Sequence, residues 1–93
     1  MVSRNDEVVV EVKNMSPEEM IREAARRKRV VRIVYVDKKD NSTWRETEPY
    51  EMKDDLYFGY CLEKEGIRAF RLDQIRSAVM TEKTFAPRWP VKI

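Results

Sequence analysis

The chain has 93 residues, 42% of them hydrophobic and 39% charged, with a net charge of +2. That length holds one domain around one modest core and excludes a second. Histidine is absent, Cys61 is the single cysteine and glycine occurs only at Gly59 and Gly66. These counts rule out imidazole catalysis, a histidine or cysteine-pair metal site, an internal disulfide, a P-loop and a dinucleotide fingerprint.

Carboxylates are plentiful, but the closest pair, Asp54-Asp55, sits between strand-like segments and reads as a turn. No catalytic constellation emerges, so the chain is expected not to be an enzyme and to need no cofactor or metal. No run approaches 18 apolar residues, and the N-terminus lacks a signal peptide's apolar core. Together with one cysteine inside an apolar run, this points to a cytoplasmic protein without a membrane partner. The small net charge hides segregation: residues 22–32 carry six basic side chains and one acidic, and residues 66–93 six against two. Local fields therefore say more than the total.

In chain order, residues 7–12 (EVVVEV) read as a short strand or extended arm, and residues 1–15 form an N-terminal arm. Ser16-Pro17-Glu18-Glu19 is a capping box with proline in the first turn, and it predicts a helix running to about Lys28. Met20, Ile21, Ala24 and Ala25 fall on one face of that helix. Its last turn is basic: Arg26, Arg27, Lys28 and Arg29. From Val30 to Val36 the period becomes two, with Val31, Ile33 and Tyr35 on one side. Residues 38–42 make a turn, and Thr43–Met52 is the returning strand. There Trp44, Tyr50 and Met52 are expected on one side, and Pro49 suggests an edge or a bulge.

After Lys53-Asp54-Asp55 comes Leu56–Leu62, whose apolar face is expected to be Leu56, Phe58, Tyr60 and Leu62. A tight connection at residues 63–66 leads to Ile67–Leu72, and Ile75–Met80 gives a fifth strand. The fold class is mainly β with one N-terminal helix, a small five-stranded antiparallel barrel over residues 16–85. The prolines of residues 86–93 end any ladder and leave an extended tail, either packed along the barrel or loose.

The helix bearing Ile21 and Ala24-Ala25, then Val31–Tyr35, Arg45…Pro49, Leu56-Tyr57-Phe58 and Ile67-Arg68-Ala69-Phe70-Arg71-Leu72-Asp73-Gln74-Ile75, resembles the WYL domain. The likeness spans roughly residues 18–85, and Arg68-x-Phe70-Arg71-Leu72-Asp73-x-Ile75 is its most specific element. Two positions depart from the pattern. The naming Trp-Tyr-Leu tripeptide is Leu56-Tyr57-Phe58, and Gln74 stands where a basic residue is usual. The resemblance implies an Sm-like (SH3-like) barrel that senses nucleotide or single-stranded nucleic acid. It implies a place in transcriptional regulators, or in CRISPR and other phage-defence systems as an accessory protein. The chain shows neither a helix-turn-helix nor an extension domain, and reads as a stand-alone version or an excised domain.

On the residues alone, Arg68 and Arg71 have two readings. Their planar forks can bind phosphate bidentately, or can be spent on Asp73, Glu48 or Glu51. The resemblance favours a ligand role and adds Tyr57, as a stacking face, and Arg45; Arg76 follows. Arg26, Arg27, Lys28 and Arg29 are either a secondary nucleic-acid patch or cations complementing a helix C-terminus. Tyr60 and Phe70 are expected in the core. The alternative function is a protein-interaction module whose barrel or arms mediate homodimerisation, with structural arginines; Trp89 is either an anchor for a dimer partner or part of a disordered tail.

Overall fold

The capping box forms as read. In this computed structural model, which describes residues 15–93, Ser16 N donates to Glu19 Oε1 at 2.9 Å and Glu19 N to Ser16 Oγ at 3.1 Å. They start α1 (Pro17–Arg27), which ends where Lys28 turns left-handed at φ 56° and its N–H reaches back to the carbonyls of Ala24 and Ala25. The expected strand or arm at residues 7–12 lies outside the described residues. The apolar face of α1 is Met20, Ile21, Ala24 and Ala25, all buried.

Five antiparallel strands follow: β1 (Arg29–Val36), β2 (Ser42–Lys53), β3 (Leu56–Cys61), β4 (Gly66–Arg71) and β5 (Ile75–Thr84). They form one sheet in the order β4-β3-β2-β1-β5. A 3-10 turn at Leu72–Gln74 joins β4 to β5, the two ends of that sheet. Phe70 before the turn and Ile75 after it share one core with Ile21, Ala24, Val31, Ile33 and Tyr57. The sheet therefore curls into a barrel-like domain held shut by packing, not by a β4–β5 ladder among the described residues. The expected fold class, one helix and a small five-stranded barrel, is the one found.

Two face assignments are corrected. Pro49 does mark a bulge, but on a central strand: the β2–β3 register shifts between Pro49 and Glu51, after which Met52 faces Tyr57. One extra residue reverses the alternation. Met52 thus packs on the core while Trp44, of the same parity in sequence, is 55% exposed.

On β3 the inward residues are Tyr57, Gly59 and Cys61, while Leu56, Phe58 and Tyr60 are only half-buried. Both parities of this strand are apolar, so alternation alone could not choose. The C-terminal tail resolves the ambiguity by lying over the second face: Lys92 N donates to the Tyr50 carbonyl at 2.7 Å, and Trp89 packs on Tyr50 and Tyr60. The tail is packed, not loose.

Candidate functional site

The alternation of β4 decides where its arginines go. Arg68 lies opposite Gly59 and Phe70 opposite Tyr57, so Arg68 shares Phe70's side of the strand. Gly59 offers no side chain across from it. Arg68 lines a hollow of about 150 Å³ with Tyr35, Ala69, Phe70, Arg71 and Gln74. Phe70 is 7% exposed, and the Tyr35 ring tilts against it at 5.2 Å between centroids. The hollow is well below the roughly 300–1,000 Å³ of pockets that enclose drug-sized ligands. It has room for a small group and not for a whole drug-sized ligand.

The two arginines differ in what they already hold. Arg71 donates to Asp73 through both Nε (3.1 Å to Oδ1) and Nη2 (2.7 Å to Oδ2). Those hydrogen bonds hold the Asp73 carboxyl below the usual carboxylate range and raise the Arg71 guanidinium further. Of the carboxylates expected to claim these arginines, only Asp73 does so. Arg68 is exposed and makes no ion pair among the described residues.

The other expected site residues fall elsewhere. Tyr57 has no exposed surface, and its ring stacks on Phe70 at 5.9 Å. Thr47 Oγ1 donates to the Val31 carbonyl at 3.2 Å, so the Tyr57 hydroxyl, 2.7 Å away, donates to Thr47. Burial pushes this phenol well above its ordinary range. The ring also lies across Gly59, where a Cβ would come within 2.6 Å of its hydroxyl. Tyr57 is thus a core residue with a satisfied hydroxyl, not the exposed stacking face expected of it, and the tyrosine that lines the hollow is Tyr35.

Arg45, on β2 opposite Ile33, pairs with Glu63 at 3.2 Å and does not line the hollow. Arg76 reaches the Asp73 carbonyl at 3.5 Å and lines a separate groove of about 670 Å³ between α1 and β5. Arg27 lines that groove too, so the two basic segments meet there. Arg26 and Arg27 both pair with Glu23, Lys28 caps α1 and Arg29 opens β1. They do not extend the Arg68 hollow.

Tyr60 is corrected from core to surface platform: the Arg88 guanidinium lies 3.9 Å from its ring centroid. Arg88 also donates to both oxygens of Glu48, at 3.1 and 3.3 Å, and Glu48 is 4% exposed. Sequence reasoning missed this clamp, and it missed Tyr35 as a rim residue. A tyrosine in place of phenylalanine near the end of an otherwise aliphatic strand was the available signal, since a polar tip belongs where water is. No group of three His, Cys, Asp or Glu side chains suited to a metal ion occurs among the described residues.

Comparison with known proteins settles the family. The model of the WYL domain matches residues 19–80, which is 62 of the 93 residues. The chain belongs to the WYL domain family. This WYL domain is also similar to a solved structure, the proteasome accessory factor B/C (PafBC) of Arthrobacter aurescens, at 27% identity and a TM-score of 0.64. The match covers 75% of this chain and 13% of that one, so the domain corresponds to a small part of the larger protein. No curated protein matches the chain. Among the described residues no helix is long and apolar enough to cross a membrane.

Proposed function

We propose that this WYL domain is a ligand-sensing module of a transcriptional regulator. It takes a phosphate of a nucleotide or single-stranded nucleic acid at the Arg68 hollow. The observation that carries this reading is a guanidinium free of carboxylates among the described residues, beside a phosphate-sized hollow with aromatic walls. Arginine forks match phosphate oxygens bidentately, and a tyrosine rim gives a neighbouring base a stacking surface. Family membership and the likeness to part of PafBC support a regulatory module. The alternative, a homodimerisation module, has Trp89 as its candidate anchor, packed on Tyr50 and Tyr60 yet 48% exposed.

Fluorescence anisotropy with a labelled ten-nucleotide oligothymidylate tests the proposal. Wild-type protein should bind, with affinity falling on added salt by a log–log slope of about 0.7 for each phosphate neutralised. Arg68→Ala should weaken binding roughly tenfold with an unchanged melting temperature, as expected for one lost charge-assisted contact. If wild-type protein gives no anisotropy change at low salt with this strand or with free nucleotides, the proposal is lost.

A further inference from the structure

One arginine that lines the hollow already holds an anion of this chain. Asp73, two residues beyond Arg71, presents its two oxygens to the Nε and Nη2 of that arginine, the face by which a guanidinium grips phosphate. The carboxylate and the guanidinium are both more than half exposed, with 61% and 58% of their side-chain surface open. Exposed pairs of this kind are weakly held because water screens both charges, so an incoming anion can displace the carboxylate. The charges facing Asp73 are Arg71 and, more remotely, Arg76, while Asp55 is a second carboxylate acting on Arg71.

We infer that Asp73 is a resident competitor for the anion: it covers the Arg71 fork in the free domain and is displaced when phosphate binds. Arg68, which holds no carboxylate among the described residues, provides the first contact, and Arg71 is recruited as Asp73 leaves. A strand with two successive phosphates can engage both arginines, whereas a lone phosphate must choose between Arg68 and a contested Arg71. The competitor thus lowers affinity most for a strand that needs both arginines, and least for a lone phosphate that sits at Arg68. This inference rests on the Arg68 hollow being the ligand site.

The test is a mutant cycle on the intact chain, read by anisotropy with the same labelled oligothymidylate and by competition with inorganic phosphate. Asp73→Asn keeps the shape and removes the charge. It should tighten oligothymidylate binding about three- to tenfold, and improve phosphate competition by a smaller factor. In an Arg71→Ala background the same substitution should bring no gain. A gain that survives Arg71→Ala overturns the inference, because it would be a general charge effect. Weaker binding by Asp73→Asn at unchanged melting temperature also overturns it, making Asp73 a positioning residue. If no variant binds oligothymidylate or phosphate at all, the ligand-site reading itself fails and the competitor role goes with it.

Discussion

Two arginines of this domain sit beside aromatic rings and serve opposite purposes. Arg88 lies over Tyr60 and grips Glu48, which is 4% exposed and also accepts from the Tyr50 hydroxyl at 2.8 Å. Arg68 lies near Tyr35 and Phe70 over a hollow and grips no carboxylate among the described residues. In sequence both are a basic residue close to aromatic ones. The difference is the carboxylate: a buried one commits its arginine to the fold, and its absence leaves a guanidinium for an outside anion. Arg71 is the intermediate case, committed to a carboxylate that water can also reach.

The comparison depends on Tyr57 being interior, because a ligand-facing Tyr57 would move the site. Tyr57→Ala opens a cavity between Phe70, Thr47 and Gly59 and should cost about 3–5 kcal/mol in chemical denaturation. Tyr57→Phe removes only the hydrogen bond to Thr47, while Thr47 keeps its bond to Val31, and should cost about 1 kcal/mol. Neither cost should come with a selective loss of oligonucleotide binding. Normal stability with abolished binding in Tyr57→Phe would place the phenol in the site and break the comparison.

Next in size is the contrast between the clamps. Arg88→Ala leaves a buried Glu48 carboxylate with the Tyr50 hydroxyl and removes the guanidinium from the Tyr60 ring, so the melting temperature should fall by several degrees. Arg68→Ala should leave it unchanged. The two variants should trade places in an oligonucleotide assay, with Arg88→Ala binding normally at a temperature where it is folded. Equal thermal effects of the two substitutions would mean that Arg68 is structural as well.

The sequence made the architecture legible because its local signals agreed. The capping box fixed the start of α1, the change of period at Arg29 fixed β1, and polar turns separated the remaining strands. It could not orient β3, where Leu56, Phe58 and Tyr60 compete with Tyr57 and Cys61 for the interior. That choice depends on the tail, a contact between Trp89 and Tyr60 across 29 positions of chain. It could not follow β2 through Pro49 either, since a bulge is one uncounted residue. The site was legible in its arginines, which lie on one short strand, and illegible in its aromatic wall. Tyr35 reaches the hollow only because β4 and β5 are folded back beside β1, a feature of the closed barrel and not of any local pattern.

The smallest expected effect concerns acid. The Arg71 hydrogen bonds depress the folded-state pKa of Asp73 below its ordinary 3.8. A depressed carboxylate stabilises the fold above its unfolded value and loses that contribution as pH falls through the folded one. Wild-type protein should therefore melt slightly higher than Asp73→Asn near neutrality, and the two curves should converge below about pH 3.8. Salt should narrow the gap, because the pair is exposed. Carboxyl-carbon NMR gives a sharper version. The Asp73 resonance should titrate at depressed pH in the free domain and move back towards its ordinary range when oligothymidylate is bound, as Arg71 is taken by phosphate. An Asp73 titration that ignores the bound strand would show that Arg71 never changes partner, leaving Arg68 as the one guanidinium of this strand that meets the ligand.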